Sequence, residues 1–525
     1  MLPLHLVAKS SIEVVVAPQT SDLLNELRRN HDSAKAGSLY LPASQETFGK
    51  LERLSGELPA GFPTGTYLRN GPNHPYYSDR GEDHYFDADG MIHAAVFPGN
   101  GTAAYFNRYI ETESHVREKN AGRKLYDGVL VYNGYTLLGN LLKNLLRTGT
   151  TFKSTANTAL LYFNGKLLAL MEASLPVELS LDASEGRLET VNAKYDFEGA
   201  LTHPFAAHPK VCPSTGDMMV FGYRAESKPH MLYSVFRRDG RKALTQPLDL
   251  ERCCMAHDMA ITESYSLVFD TPLVFDNNNL IQGRFPFGVD ESHPARIGVI
   301  PRYGGDVEWF LVEPCNVFHT VNAYEDEETG EIVLHGGRFV LERDPYFAYN
   351  PAFMYEWRLT PGTNGRGVTE RLLDATPTEF PRINEAYMGK PYQWAYCVET
   401  TACGKMSTWK NPWEAVTFGA VVKYDMRAGK VVDEWRLPAG QSLSEPQFVP
   451  RRLDTEEGEE AAACHQAEDD GFLIAFGSDP DEGHSFVVIL DAKNLSQGPL
   501  TVLRTPQPVP NGLHGTWIPE VATRM

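Results

Sequence analysis

Residues 420–437 read AVVKYDMRAGKVVDEWRL. Ala420, Val421, Val422 and Tyr424 form one short apolar run, and Val431, Val432 and Trp435 form a second. Between them Asp425 and Gly429 bracket a turn. Two runs rich in β-branched and aromatic residues, closed by a glycine turn, predict a β-hairpin. The same loose form recurs in LDASEGRLETV (181–191) and YEDEETGEIVL (324–334). From about residue 155 onward the chain is built of such pieces, among them ALLYFNGKLLALME (159–172), SYSLVFDTPLVFD (264–276) and RIGVIPRYGGDVEWFLVE (296–313). Hairpins repeated along most of a chain point to an all-β protein, and a β-propeller is the architecture that stacks them as blades. A large sandwich or barrel fits the same pattern.

The 525 residues carry a net charge of −20, which repels phosphate backbones and argues against nucleic acid as a partner. Seven cysteines, an odd number without a CxxC pair, read as reduced thiols. The first twenty residues hold no long apolar run, so no secretory signal is expected, and no apolar stretch is long enough to span a membrane. A cytoplasmic location follows, with peripheral membrane contact and a plastid address both open. No linker divides the chain, so residues 1–525 are expected to form one domain, with 1–60 as an N-terminal extension or cap. The acidic stretch 451–471 reads as a solvated loop.

One segment departs from the β pattern. GYTLLGNLLKNLLR (134–147), within an apolar insertion at 126–150, places Leu137, Leu138, Leu141, Leu142, Leu145 and Leu146 on one helical face, with Asn140, Lys143, Asn144 and Arg147 opposite. The helix either packs on the domain or lays its leucine face on a lipid surface, with Arg117, Lys119, Arg123 and Lys124 nearby.

The chain has no GxGxxG opening a helix, no GxxxxGK[ST], no GxSxG and no HExxH. Of its sixteen histidines, four sit among small or apolar neighbours: His208 in FAAHPK, His257 in CCMAHDMAI, His319 in NVFHTVNAYED and His514 in GLHGTW. Ligands this far apart suit a propeller axis, where each inner strand delivers one side chain. By spacing alone four dispersed histidines are a weak signal, and structural roles stay open. His84 and His93 flank the acidic turn FDADG and read as exposed turn residues, and Arg69, Asn70, Gly71 and Pro72 read as closing the propeller or setting a tight turn.

Taken together, GTYLRNGPNHPYY (65–77), HYFDADGMIHAAVF (84–97), NRYIETE (107–113), AHPK (207–210), AHDMAITE (256–263), FHTVNAYED (318–326), EFPRIN (379–384), SEPQFVPR (444–451) and GLHGTW (512–517) resemble the carotenoid cleavage oxygenases in content and order. The resemblance covers nearly the whole chain. It implies a seven-bladed β-propeller with a helical and loop cap over one axial Fe2+. The implied ligands are His208, His257, His319 and His514. Glu172, Glu379 and Glu445 stand where the family holds three of those histidines by carboxylates, His208 being the exception. An acceptor on the second ring nitrogen orients a metal-bound imidazole and raises its basicity. Thr158, in STANTALLYF, matches a threonine that crowds an open metal position.

The resemblance implies cleavage of a C=C bond of a carotenoid or apocarotenoid by O2, giving two carbonyl products. Alternatives are cleavage of a stilbene or phenylpropenoid, redox-neutral isomerohydrolase chemistry, and an inactive binding propeller. All four histidines and all three glutamates are present, which argues against the last. Family members that cleave stilbenes grip a phenol with a tyrosine and a lysine. Tyr109 matches the tyrosine, but the lysine position holds Met171, which favours a long lipophilic polyene.

Overall fold

The computed structural model describes residues 39–43, 45–76, 85–127, 137–150, 153–172, 174–282, 286–339, 341, 351–403, 416–452 and 466–520. The hairpin at 420–437 forms as its sequence dictates. Strand Val416–Asp425 pairs antiparallel with Lys430–Arg436, with Val421 opposite Trp435 and Asp425 opposite Lys430. The Asp425 carboxylate accepts the N–H groups of Arg427 and Ala428, and Gly429 takes the left-handed conformation (φ 65°) that closes the turn. Ala420 to Tyr424 are buried, because this strand has neighbours on both sides. Lys430–Arg436, at the edge, alternates exposed and half-buried.

Small antiparallel sheets of this kind follow one another along the chain. Four strands between Ala159 and Asn192 form one sheet and four between Lys210 and Leu248 the next. Four more, from Ala260–Ile261 to Glu308–Val312, form a third. A seven-stranded sheet then runs from Asn316–Glu325 to Lys430–Arg436 through the long strand Val368–Arg382, and a six-stranded sheet follows. Apolar clusters lie between successive sheets. Phe310, Val317, Leu334 and Trp357 join the third sheet to the seven-stranded one, and Tyr396, Phe448, Leu473 and Val488 join that to the six-stranded one.

The ends of the chain lock together. The last strand, Gly515–Pro519, pairs with Gly65–Asn73, with Arg69 opposite Gly515 and Tyr67 opposite Trp517. Conversely, Glu52–Gly56 becomes the outer strand of the six-stranded sheet by pairing with Thr501–Arg504. An apolar cluster of Tyr67, Ala95 and Tyr105 with Phe472, Phe476 and Val487 joins the last sheet to the first. The mostly β arrangement is of the propeller type, and neither a sandwich nor a barrel accounts for sheets that pack in chain order and return to the start.

One reading is narrowed and one is corrected. Arg69 to Pro72 lie within the fully buried strand Gly65–Asn73, not in a turn. The Arg69 guanidinium donates to the Pro510 carbonyl (2.7 Å), so its role is to close the ring of sheets. His93 is buried in strand Asp89–Phe97 with its Nδ1 2.8 Å from the Tyr105 hydroxyl, because the acidic turn leads directly into a central strand. His84, residues 1–38 and 453–465 lie outside the described residues.

Helix Leu137–Thr148 forms, and its burial is the reverse of that of an ordinary packed helix. Asn140 and Asn144 are fully buried, while Leu142, Leu145 and Leu146 are 55%, 45% and 78% exposed. Asn144 exchanges two 2.8 Å hydrogen bonds with the Asp127 backbone, which docks the polar face. The short helix Asn277–Ile281 packs beside it and also exposes Ile281. The side chains of Leu137 and Leu138 lie outside the described residues. Among the described residues no helix is long and apolar enough to cross a membrane.

Candidate metal centre

Four sheets each deliver one histidine to a common point. His208 stands just before Lys210–Val211, His257 just before Ala260–Ile261, His319 within Asn316–Glu325 and His514 just before Gly515–Pro519. One ring nitrogen from each lies within 4.8 Å of the others. Ring centroids are 4.4 Å apart for His208 and His514 and 4.9 Å for His319 and His514. Gly512 and Gly515 permit this approach, since a Cβ on Gly512 would meet the Arg69 guanidinium at 2.4 Å and one on Gly515 the Tyr67 ring at 2.7 Å.

Three of the rings donate Nδ1–H to a carboxylate. His257 binds Glu172, His319 binds Glu379 (2.5 Å) and His514 binds Glu445 (2.9 Å). His208 meets no carboxylate among the described residues, and its Nε2 is 3.0 Å from that of His257. The second oxygens of two of these carboxylates are also held: Glu172 accepts from the Tyr223 hydroxyl (3.0 Å), and Glu445 from Arg382 (2.7 Å) and the Gly515 N–H (2.8 Å). With Nδ1 committed, Nε2 of each of these three rings is left for the common point. The His319 Nε2 is buried and has no hydrogen-bond partner, an arrangement that costs about 1–3 kcal/mol unless something binds there. Four imidazoles with one nitrogen each turned inward are a donor set that fits a first-row divalent metal.

A kink in strand Val368–Arg382 lets Glu379 and Arg382 turn to the same side, each toward its own partner, His319 and Glu445. In a regular strand, residues three apart face opposite sides. Phe380 adopts φ 52° and the register shifts between Glu379 and Arg382, so both side chains turn toward the centre. Phe380 then stacks on His319 with ring centroids 5.4 Å apart and covers it.

Electrostatics favour the neutral form of two of these imidazoles. Burial, reinforced by the other histidines, holds His208 well below its ordinary pKa. Burial pushes His514 down to about 4 against the pull of Glu445. For His257, burial acts downward but Glu172 outweighs it and the net shift is up. Glu445 stays ionised: burial acts upward, and Arg382 and His514 overcome it, leaving its pKa at about 2. A histidine that folds into a neutral site loses stability as pH falls, because only the unfolded chain takes up the proton. For His514 the loss starts near its ordinary value of 6.5 and is complete near 4, about 3 kcal/mol in all. The melting temperature of metal-free protein should therefore fall between pH 6.5 and 4, with His257 offsetting part of the loss. Calorimetry showing a level or rising melting temperature over that range would contradict this assignment.

Sequence reading missed a second set of residues behind the rings. Asp258, 2% exposed, accepts from Lys210 (2.8 Å) with one oxygen and from the backbone N–H and hydroxyl of Thr320 (both 2.8 Å) with the other. Lys210 is two residues after His208, Asp258 one after His257 and Thr320 one after His319. One carboxylate thus ties together three of the four histidine-bearing segments, and Arg382 ties the fourth through Glu445. The available signal was slight: Asp258, a charged residue directly beside His257 in otherwise apolar sequence, and Lys210 two residues after His208.

The other predicted site residues are placed as follows. The Thr158 carbonyl accepts the His514 N–H (3.2 Å), and its hydroxyl donates to Asn157 (3.3 Å). Met171 directly precedes Glu172, and its sulfur accepts from the Thr155 hydroxyl (3.2 Å). Tyr109 lies with its hydroxyl 2.5 Å from the Asn73 amide and its ring stacked on His115 (4.7 Å). Replacing Glu379 by Gln should weaken metal retention roughly 10–100-fold, because the amide cannot accept a charge-assisted bond from His319. Competition against a chelator measures this, and unchanged retention would remove Glu379 from the support of the centre.

The family model described as Retinal pigment epithelial membrane protein matches residues 40–519. Among curated proteins, the chain is 32% identical over 491 residues to carotenoid 9,10(9',10')-cleavage dioxygenase 1 of Phaseolus vulgaris, covering 87% of this chain and 84% of that one. Among solved structures, it matches cobalt-substituted apocarotenoid oxygenase of Synechocystis with a TM-score of 0.77 and 26% identity, over 93% of this chain and 99% of that one. Lignostilbene dioxygenase of Pseudomonas brassicacearum matches with a TM-score of 0.76 and 27% identity, over 92% and 97% of the two chains.

Proposed function

The chain belongs to the carotenoid cleavage oxygenase family, and from that premise we propose that it is an oxygen-incorporating oxidoreductase that cleaves a C=C bond of a carotenoid or apocarotenoid into two carbonyl products. The observation that carries this reading is the cluster of four inward-facing imidazoles, three of them braced by glutamates. His208, His257, His319 and His514 would hold one Fe2+, which would supply the activation of O2 toward a double bond. Glu172, Glu379 and Glu445 fix the rings from behind. Glu172 and Glu379 lend charge to the centre, whereas Glu445 is largely neutralised by Arg382. Phe380 shields the rings from water, and Thr158 and Met171 border the centre through their links to His514 and Glu172. The chain supplies position and a dry setting and needs no acid or base of its own.

The architecture is read as seven blades, counting the seven-stranded sheet as two that share strand Val368–Arg382, with helix-bearing segments forming a cap. A long polyene is preferred over a hydroxystilbene. Met171 offers no charge to a phenol, and the Tyr109 hydroxyl is engaged by Asn73. The outward leucine face of Leu137–Thr148 supports delivery of such a substrate from a lipid surface. Flotation with liposomes should be lost when Leu142 and Leu145 are replaced by Glu. Equal flotation of both proteins, or of neither, would remove the lipid contact.

The test of substrate is incubation under O2 with carotenoids, apocarotenoids, stilbenes and vinyl phenols, followed by mass spectrometry. Paired carbonyl products from a polyene are expected. Products only from stilbenes would redirect the assignment, and an alcohol without oxygen uptake would mark isomerohydrolase chemistry.

A further inference from the structure

Far from the histidines in chemistry, though only four residues after His208, lies an unusual pair. Arg302 is 3% exposed, and among the described residues no carboxylate pairs with it. Its Nε and Nη2 are buried without hydrogen-bond partners, and its Nη1 donates to the sulfur of Cys212 at 3.0 Å. A guanidinium does not lose its proton in a protein, so this buried cation needs an anion. The neighbouring groups cannot provide it. Asp217 is committed to Arg237, to the Tyr303 hydroxyl and to the Arg238 N–H, and the Tyr233 hydroxyl is shared between Ser266 and the Arg302 carbonyl. Cys212, also 3% exposed, stands at the start of a turn whose Ser214 and Thr215 N–H groups and Thr215 hydroxyl converge on the same sulfur.

We propose that Cys212 is held as a thiolate by Arg302 and is an oxidant-sensitive modification site for small hydroperoxides. The thiolate sulfur attacks the terminal peroxide oxygen, the O–O bond breaks, and hydroxide leaves from hydrogen peroxide or alkoxide from an alkyl hydroperoxide. Sulfur is oxidised by two electrons to a sulfenic acid, and the peroxide is reduced to the level of water. The covering turn is thin, since Pro213, Ser214 and Thr215 are all exposed, so a small reagent meets little protein above the sulfur. The thiol environment supports the choice. Burial pushes Cys212 up, but the Thr215 bonds, Arg302 and the Ser214 N–H outweigh it and bring it below the ordinary value. Burial instead lifts Cys253 and Cys315 to about 12 and Cys254 well above the ordinary value.

The test is alkylation of the full chain by iodoacetamide at neutral pH, read residue by residue by mass spectrometry, with hydrogen peroxide followed by a sulfenic-acid trap in parallel. Cys212 should react about tenfold or more faster than Cys253, Cys254, Cys315 and Cys397, and Arg302→Gln should remove that advantage. Equal rates, no trapped sulfenic acid at Cys212, or an unchanged rate in Arg302→Gln would overturn the proposal. Should Arg302→Gln fail to fold, Cys212→Asp and Cys212→Ala decide. An ionic pair predicts that Asp, a permanent anion, melts closer to the parent protein than Ala, and the reverse order would overturn it.

Discussion

A chain ended after Gly512 is expected to bind no iron and to melt well below the full chain. The cut removes His514 and with it one of four inward nitrogens. It also removes strand Gly515–Pro519, which completes the first sheet against Gly65–Asn73. Trp517, packed against Phe62 and Phe97, and Ile518, 2% exposed, leave together. Glu445 loses the imidazole and the Gly515 N–H that it accepts from, and Arg382 loses the Gly515 carbonyl. The apolar burial and the broken polar contacts sum to a loss on the order of 5 kcal/mol. Full-length His514→Ala separates the two effects: it should lose the metal and keep most of the stability. Metal analysis and calorimetry of the three proteins check this, and stoichiometric iron in the truncated chain would refute the role given to the last strand.

Replacement of Asp258 by Leu should be the most damaging single change away from the metal ligands. It leaves the Lys210 ammonium without its buried partner and the Thr320 N–H without an acceptor, and breaking one side of a buried pair costs about 3–5 kcal/mol. Because the segments carrying His208, His257 and His319 share that carboxylate, metal affinity should fall in parallel with stability. Asp258→Asn should be milder, since the amide oxygen can still accept from Thr320. Denaturant titrations with and without metal measure both. A Leu variant within about 1 kcal/mol of the parent would show that the carboxylate does not bind the segments together.

How far the chain could be read without its structure depended on the range of the interactions. The hairpin at 420–437 was legible because its turn is local: Asp425, Gly429 and the flanking valines lie within one short stretch. The four histidines were legible because each sits in a motif that the family repeats. Pairings across the fold were not. Asp258 looks like any polar residue after a histidine until Lys210 and Thr320 arrive from two other sheets. Arg382 is three residues from Glu379, and only the left-handed backbone at Phe380 turns both inward. The leucine stripe at 137–146 was visible as a stripe. Its outward direction depended on Asn144 finding the Asp127 backbone. His93 was misjudged because a turn signal says nothing of the central strand it feeds.

The central claim is that four histidines hold an iron centre that uses O2 to break a carbon–carbon double bond. Its most direct test is incubation of the iron-loaded chain with an apocarotenoid under isotopically heavy O2, with immediate trapping of the carbonyl products and mass spectrometry. Heavy oxygen in both products is the predicted result. Products that carry oxygen only from water, or a polyene that survives intact with stoichiometric iron bound, would contradict it.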